Sequence, residues 1–385
     1  MKGKRTIQMS RYIYFLVLLS TLVLLCPLTR RFFSELGERW LYITALSFTL
    51  SFSLTPFFRF LAMRWNIVDQ PDPRKVHKNA TPLLGGAAIF VAFATGILLN
   101  GIYSLKLFAI LGGAAIVFAV SAVDDFREVP ALLKLLVQVV GVSLVMCFGI
   151  VLRVLPEGLG LFGHAANVLL TLLWIVGVTN AMNFFDGMDG LATGLGAIVS
   201  FFLAIVAFQT GQPFLGWISL AIMGSCLGFL PYNFKPKGSA SIFLGDGGSN
   251  FIGFLLACLA VYGDWSETNP IVALTSPLLI FWILIFDMVH ITVDRVITGK
   301  VLNFKSWIEY VGKDHLHHRI SEVLGGPKKS VLLIYLLSLI LGTSAVVLRN
   351  ARTIDAILLL LQASMIVVLI TILERNGRHL ANNKH

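Results

Sequence analysis

Apolar segments long enough to cross a bilayer recur along the whole chain and constrain its fold more than any other feature. A spanning helix needs about 20 mostly apolar residues, because the hydrocarbon core of a bilayer is about 30 Å thick. Of the 385 residues, 57% are hydrophobic and only 13% are charged, whereas a soluble domain carries about 25% charged residues. The sequence therefore predicts an all-α fold, a polytopic transmembrane helical bundle of about 11–12 helices without a separate soluble domain.

Twelve segments are predicted to form helices. They cover residues 11–28, 41–63, 84–101, 105–123, 131–151, 166–182, 190–208, 214–231, 249–264, 270–292, 331–348 and 354–374. The first has a basic start but no small-residue cleavage site, so it is interpreted as an uncleaved anchor. The predicted organisation is an extra anchor helix and outer loop in 1–40, a membrane-embedded domain in 41–374 and a cytoplasmic tail in 375–385.

Lys and Arg are distributed unevenly between the two sets of loops that alternate along such a bundle. One set carries 22 of the 30 basic residues and the other seven; the richer set comprises both chain ends and residues 64–83, 124–130, 183–189, 232–248 and 293–330. Basic residues concentrate on the cytoplasmic side, so this set is predicted to face the cytoplasm from the cell (inner) membrane. The same bias explains the net charge of +10, so nucleic-acid binding is not expected.

The four cysteines give no sign of a disulfide framework or a zinc site. Each lies inside an apolar run, and none forms a CxxC pair; they are Cys26, Cys147, Cys226 and Cys258. Buried free thiols are the expectation for such cysteines.

Two adjacent acids end an apolar segment in a predicted cytoplasmic loop. These are Asp124 and Asp125, and Lys134 follows on the next segment. Carboxylates at a membrane boundary are costly unless they are paired, hydrated or bound to a metal ion. The pair by itself fits a solvated helix end and a functional site equally well.

Four oxygen-bearing side chains recur at every third residue in the next such loop. They are Asn180, Asn183, Asp186 and Asp189. Residues three apart on a helix lie near one face, and glycines at the end of the stretch allow the acids to leave the helix. Because no basic residue in the stretch neutralises these acids, a bound cation is the simplest compensation.

A glycine-rich sequence opens the segment that follows residue 244. It reads Gly245-Asp246-Gly247-Gly248-Ser249. A glycine-rich backbone that enters a helix N-terminus can hold an anion or a metal-bound phosphate. The alternative is that Asp246 and Ser249 only cap the helix.

Basic and histidine side chains occupy the first and last of the predicted cytoplasmic loops, 64–83 and 293–330. Lys75 and His77 suit an anionic headgroup or a phosphate, although an ordinary positively charged loop is the favoured interpretation. In the last loop, His315, His317 and His318 precede Arg319. Their spacing fits no usual zinc site, which favours contact with a substrate.

Three polar residues share one face of the predicted helix that enters this last loop. They are Asp287, His290 and Asp294. A buried polar seam and a shell that supports the histidines are equally compatible with their spacing.

Together these motifs resemble the polyprenyl-phosphate N-acetylhexosamine-1-phosphate transferases over about residues 41–374. The pattern of the first loop and the His-Leu-His-His sequence are closer to the branch that uses GlcNAc than to the branch that uses a pentapeptide donor. Relative to the family pattern, Lys237-Gly238-Ser239 is an insertion. The resemblance implies transfer of a sugar-1-phosphate from a UDP-sugar to undecaprenyl or another polyprenyl phosphate, with release of UMP. GlcNAc-1-phosphate is the sugar-1-phosphate that the resemblance favours.

The resemblance also implies the roles of individual residues. It implies catalytic roles for Asp124, Asp125, Asp186, Asp189 and Lys134, and a Mg²⁺ ion, or Mn²⁺ in its place, on Asp246, Asn183 and Asp186. The substrate-binding residues it implies are Lys75, His77, Asn180, Gly248, Ser249, His315, His317, His318 and Arg319. The implied partners are the UDP-sugar, the lipid phosphate, the membrane and, optionally, a second copy of the chain.

Two other functions are weighed against this interpretation. A UDP-MurNAc-pentapeptide donor is the alternative within the family. An ion-coupled secondary transporter is the alternative from another class, because acids inside a membrane often mark ion pathways. A transporter would place those acids near the middle of the bilayer with repeat symmetry, whereas the motifs here lie at the ends of the predicted helices, and the sequence has no visible repeat.

Overall fold

The fold is known from a computed structural model. The structure describes residues 2–70, 80–266, 269–301, 303, 306, 310, 312, 314–348 and 351–382. Of these, side chains are described from residue 12 to residue 374, except residue 157. Lys75 and His77 therefore lie outside the described residues.

Fifteen α-helices occur in the described part of the chain. They are α1 (Lys2–Leu25), α2 (Pro27–Glu35), α3 (Arg39–Arg64), α4 (Gly85–Leu99), α5 (Leu105–Asp124), α6 (Ala131–Cys147), α7 (Gly160–Phe184), α8 (Leu191–Gln209), α9 (Pro213–Asn233), α10 (Gly245–Tyr262), α11 (Pro270–Ile280), α12 (Trp282–Ile297), α13 (Leu316–Leu324), α14 (Pro327–Val347) and α15 (Thr353–Asn382). Short 3₁₀ turns cover Glu157–Leu159 and Phe185–Gly187, and two short strands, β1 (Val68–Asp69) and β2 (Thr81–Pro82), form an antiparallel ribbon.

Each of the twelve predicted segments coincides with a helix or with a bent pair of helices, so the polytopic helical fold is confirmed. Among the described residues, seven helices are long and apolar enough to cross a membrane, and nine if each bent pair counts as one span. The shorter helices α4 and α6 are also apolar. Helices suit such segments because a bilayer offers no hydrogen-bond partners to the backbone.

The helix α10 lies at the centre of the bundle. Every residue of this helix except Asp246 and Tyr262 is buried, and the helix packs against α4, α5, α7 and α8. Small residues let other helices approach closely, since a Cβ on Gly228 of α9 would overlap the backbone of Phe48 in α3. Such close approach is the usual way in which helices associate inside a membrane.

The helix predicted over 270–292 is a bent pair of helices in the structure. The chain bends by 79° at Phe281 between α11 and α12, and α12 continues to Ile297. Pro277, which has no backbone N–H to donate, lies one turn before the bend. The first helix also ends early, with a bend of 74° before Pro27, because a proline disfavours helical backbone in the residue that precedes it.

Two further details differ from the sequence-based expectation. Cys226 and Cys258 are buried, but Cys26 and Cys147 are exposed, so only half of the predicted buried thiols are buried. The last helix continues to Asn382 rather than ending near residue 374. At the other end of the chain, α1 packs on α3, where the Tyr42 hydroxyl donates to the Leu24 carbonyl at 2.7 Å.

Candidate active site

Polar residues from three different helix ends meet at one end of the bundle. The helix α5 ends at Asp124, α7 ends just after Asn183, and α10 begins at Gly245. Because α5 and α7 end where α10 begins, the acids predicted from separate loops converge here. The convergence itself is a structural finding, whereas the role of each residue remains a prediction.

Asp124 and Lys134 form the closest ion pair of this cluster. The Lys134 Nζ atom lies 2.6 Å from Asp124 Oδ2 and 3.6 Å from Asp246 Oδ2. The second oxygen of Asp124 accepts the backbone N–H of Val129 at 2.6 Å. Lys134 thus bridges an acid of α5 and an acid of α10.

Asp125 points toward the backbone of α10 rather than toward Lys134. Its Oδ1 accepts the N–H of Asp246 at 2.7 Å, and its Oδ2 accepts the N–H of Gly247 at 3.3 Å. Burial raises the pKa of Asp125 to about 8, and the negative charge of Asp246 acts in the same direction. Its carboxyl group therefore caps the first turn of α10.

Asn183 and Asp186 approach Asp246 from the other side. The Asn183 side chain hydrogen-bonds to Asp246, and its Nδ2 donates to Ser249 Oγ at 2.9 Å. Asp186 accepts the backbone N–H of Gly245. Gly245 has φ +79°, a left-handed conformation that favours glycine, so the residue can turn its N–H toward Asp186. The three residues of the predicted metal set therefore lie together.

Two amide side chains of the site were not among the predicted residues. Gln138 Oε1 accepts from Asn180 Nδ2 at 2.7 Å, and Gln138 Nε2 lies 3.3 Å from Asn250 Oδ1. Asn250 in turn donates to the Asp246 carbonyl at 2.9 Å. Gln138 lies one helical turn after Lys134, and that spacing is the sequence signal that could have identified it.

Asp189 contacts the segment before α10 in addition to its charge interaction with Asp186. Its Oδ2 accepts the N–H of Ala240 at 2.8 Å. Lys328, a residue of α14, donates to the carbonyls of Pro236 and Gly238 at 3.1 and 2.8 Å. The predicted insertion is thus fixed from two sides, and Asp189 lies at its edge.

His317 is the buried histidine of the last loop that faces the acidic turn. It is 1% exposed, and neither ring nitrogen has a hydrogen-bond partner among the described residues. A Cβ on Gly187 would stand 2.8 Å from His317 Nε2, so the ring lies against the Asp186–Gly187 turn. Burial lowers the pKa of His317 well below its usual value, and the nearby His318 adds to the effect.

His315 and Arg319, which lie on either side of His317, each have an acidic partner. His315 Nδ1 lies 2.8 Å from Asp287 Oδ2, and the ring of His318 lies 4.2 Å from that of His317. Arg319 contacts His290 and lies 3.4 Å from Glu374. Arg319 is therefore directed toward α12 and α15, while His317 is directed toward the acidic turn.

Asp314 forms a two-point ion pair just before the histidines. Arg295 Nε and Nη2 donate to its two oxygens, each at 2.8 Å. Burial acts to raise the pKa of Asp314, but the hydrogen bonds and charge of Arg295 together outweigh it and hold the pKa below its usual value. Asp294, in contrast, turns away toward Lys300 at 3.6 Å. The polar face of α12 therefore supports the histidine segment through Asp287 and His290 but not through Asp294.

The chain between the first loop and α4 is hydrogen-bonded to the segment that precedes Asp246. The Phe243 N–H donates to the Pro82 carbonyl at 2.8 Å, and the Gly86 N–H donates to the Leu244 carbonyl at 2.8 Å. A Cβ on Gly86 would overlap the backbone of Gly248, so these two glycines let α4 and α10 touch. The chain that enters α4 is thus anchored to the segment that leads into α10.

The side chains that converge here fit a hard divalent cation. Asp246, Asn183 and Asp186 offer carboxylate and amide oxygens, which Mg²⁺ prefers. Among the residues that the structure describes, no group of three or more His, Cys, Asp or Glu side chains is arranged to hold a metal ion by itself. This set suits a metal that also binds substrate phosphates and water, as Mg²⁺ usually does.

Comparison with known proteins adds an independent result. A model of the family described as Glycosyl transferase family 4 matches residues 107–264. The chain is similar to the probable undecaprenyl-phosphate N-acetylglucosaminyl 1-phosphate transferase of Bacillus subtilis strain 168, with 34% identity over 311 residues, 77% of this chain and 82% of the relative.

Two further relatives have related names. The decaprenyl-phosphate N-acetylglucosaminephosphotransferase of Mycobacterium tuberculosis H37Rv is 33% identical over 339 residues, with 78% of this chain and 81% of the relative covered. The undecaprenyl-phosphate alpha-N-acetylglucosaminyl 1-phosphate transferase of Escherichia coli K12 is 28% identical over 303 residues, with 75% and 78% covered. All three alignments cover at least three quarters of each chain.

Proposed function

Since the chain belongs to glycosyl transferase family 4, together with the polyprenyl-phosphate N-acetylglucosaminyl 1-phosphate transferases, we propose that it transfers GlcNAc-1-phosphate from UDP-GlcNAc to a polyprenyl phosphate. The products are UMP and a lipid-linked sugar diphosphate that starts a cell-envelope glycan. The observation that carries the proposal is the cluster of Asp124, Lys134 and Asp246 beside Asn183, at one end of an apolar bundle. Its chemistry suits substrates that are phosphates and a lipid.

The acceptor needs alignment more than activation. A phosphate monoester is already largely dianionic near pH 7, because its second pKa is about 6. Lys134 offers an ammonium group between Asp124 and Asp246, where it can hold a phosphate oxygen. Asp124 would orient that ammonium group, and the polyprenyl tail would remain in the lipid around the apolar helices.

The donor would lie between the acidic turn and the histidine segment. In phosphoryl transfer the transition state spreads negative charge over the phosphoryl oxygens, so positioning and positive charge supply most of the catalysis. A Mg²⁺ ion held by Asp246, Asn183 and Asp186 would supply that positive charge. The two ring nitrogens of His317 have no hydrogen-bond partner in the described part of the chain, so they can hydrogen-bond to the donor as it enters.

The orientation of the site follows from the same proposal. Nucleotide-sugar donors are cytoplasmic metabolites, and the loops rich in Lys and Arg are the ones that converge. We therefore place this end of the bundle on the cytoplasmic face of the inner membrane. The secondary transporter is disfavoured, because the acids lie at helix ends rather than at the middle of a span. The pentapeptide donor is disfavoured because the three relatives above are named for N-acetylglucosamine.

The test is UMP release by the purified full-length protein with undecaprenyl phosphate and a panel of UDP-sugars. UDP-GlcNAc is expected to give the fastest release, and omission of either the lipid phosphate or the divalent cation is expected to stop it. Faster release with UDP-MurNAc-pentapeptide would show that the protein belongs to the branch that uses a pentapeptide donor. Absence of release with every donor would overturn the proposed reaction.

A further inference from the structure

Asp287 is a fully buried acid that the proposed reaction does not use. It lies in the first half of α12, just after the bend at Phe281, and is 0% exposed. A buried carboxylate is costly unless hydrogen bonds satisfy its oxygens. The partners of Asp287 therefore indicate why an acid is present at this position.

Both oxygens of Asp287 bind the start of the histidine segment. Oδ2 lies 2.8 Å from His315 Nδ1, and Oδ1 accepts the backbone N–H of Leu316 at 2.7 Å. The second bond satisfies one of the free N–H groups in the first turn of α13. One carboxylate thus fixes both a side chain and a helix start.

The bond to Nδ1 determines which nitrogen of His315 carries a proton. A carboxylate only accepts hydrogen bonds, so Nδ1 must be the donor. The other nitrogen, Nε2, is then the one directed away from α12. The ring lies 4.8 Å from that of Phe184 and 5.9 Å from that of His317, between the end of α7 and the buried histidine.

We propose that Asp287 is a positioning residue that fixes the proton of His315 on Nδ1 and so presents Nε2 to the UDP-sugar donor. The inference rests on the proposed function for the identity of the donor, and on the two hydrogen bonds of Asp287 for the rest. Partners of this kind fix the orientation and proton position of a histidine that acts on a ligand.

The substitution Asp287→Asn tests the role of the carboxylate with little change of shape. The Asn carbonyl oxygen can still accept the Leu316 N–H, so the start of α13 is retained. Its NH₂ group, however, would face His315 Nδ1 and force the proton onto Nε2. The donor KM is expected to rise and kcat/KM to fall by about 10- to 100-fold, the size of effect that follows loss of the partner of a metal-bound histidine.

Asp294→Asn is the matched control, because Asp294 lies two turns further along α12 and its carboxylate pairs with Lys300. It should leave the donor KM and kcat unchanged. In a His315→Gln background, Asp287→Asn should have no further effect on the donor KM, since the two residues act as one unit. Equal effects of both Asn variants, or additive effects of Asp287→Asn and His315→Gln, would overturn the proposal.

A second measurement does not depend on activity. Nitrogen NMR of the full chain with ¹⁵N-labelled histidine, assigned with the His315→Gln variant, reports which ring nitrogen is protonated. The wild type should carry the His315 proton on Nδ1, and Asp287→Asn should move it to Nε2. If the proton is on Nε2 in the wild type, the positioning role fails even when UMP release is normal. If it is on Nδ1 and no UDP-sugar reacts, the proposed function fails instead.

Discussion

The carboxyl group of Asp125 accepts the backbone N–H of Asp246 with an oxygen–nitrogen distance of 2.7 Å. A residue at the end of α5 thus holds the residue that begins the functional turn of α10. In the sequence the two acids of the Asp124–Asp125 pair are indistinguishable. In the structure Asp124 faces Lys134, whereas Asp125 faces the backbone of α10.

Removal of this cap should weaken metal binding through the position of Asp246. Loss of an N-terminal cap costs about 0.5–2 kcal/mol, so Asp125→Ala should lower the melting temperature and raise the Mg²⁺ concentration for half-maximal UMP release. Asp125→Asn keeps an acceptor oxygen and should have the smaller effect on both quantities. Equal defects in the Asn and Ala variants would show that the acceptor oxygen of residue 125, and so its capping bond, is not what matters.

The contact between Gly86 and Gly248 should tolerate no side chain. In Gly86→Ala the new methyl group would overlap the backbone of Gly248, and forced overpacking of this kind costs about 1–3 kcal/mol. The control is Gly177→Ala in α7, where a Cβ meets nothing within 4 Å. The first variant should melt at a lower temperature than wild type and the second at an equal or higher one; the reverse order would mean that α4 and α10 do not touch.

His317 should make the substrate-free protein sensitive to acid. Its pKa is depressed mainly by burial, and positive charge on the neighbouring His318, His315 or Arg319 acts in the same direction. A histidine whose pKa is lower in the folded than in the unfolded state stabilises the fold at pH values above its ordinary pKa near 6.5. This stability is lost as the pH falls toward the folded-state pKa.

Melting temperatures at pH 7.5 and 5.5 measure this loss. The difference between the two pH values should be smaller in His317→Gln than in wild type. The control is His164→Gln, because His164 is an exposed residue near the start of α7. This variant should show the same difference in melting temperature between the two pH values as wild type. An unchanged pH dependence in His317→Gln would contradict burial of an uncharged ring at this position.

The two ends of α6 should be accessible from opposite sides of the membrane. Arg127 precedes α6 and Arg153 follows it, and both are exposed. With the exposed Cys26 and Cys147 replaced by serine, a membrane-impermeant maleimide added to intact cells should label Arg153→Cys and spare Arg127→Cys. Labelling of Arg127→Cys from outside would place the candidate site on the wrong face for a cytoplasmic donor.

Much of the fold and part of the site follow from local patterns in the sequence. The apolar segments predict the helices because a bilayer imposes both their length and their backbone conformation. The spacing of Asn183 and Asp186, and the glycines around Asp246, likewise indicate a site, because they depend only on near neighbours in the chain. These are the residues that the structure brings together.

The remaining features depend on contacts between distant segments. The spacing of Gln138 from Lys134 gives a local signal, but only packing shows that Gln138 meets Asn250, which lies on a different helix. The bend at Phe281 turns α12, and this turn brings Asp287 to His315. The spacing on α12 predicts a shared polar face but leaves its role open, because the partners of Asp287 and His290 are 28 and 29 residues away in the chain.

The most direct test of a metal-phosphate site on Asp246 is UMP release by Asp246→Asn across a Mg²⁺ titration. The matched control is Asp264→Asn, an exposed acid beyond the opposite end of α10. Loss of one group that stabilises transition-state charge costs about 10²–10³ in rate. The rate of UMP release by Asp246→Asn should therefore be lower than that of wild type by at least this factor at every Mg²⁺ concentration, while Asp264→Asn should release UMP at the wild-type rate. Wild-type UMP release by Asp246→Asn, with the same Mg²⁺ dependence, would contradict the account.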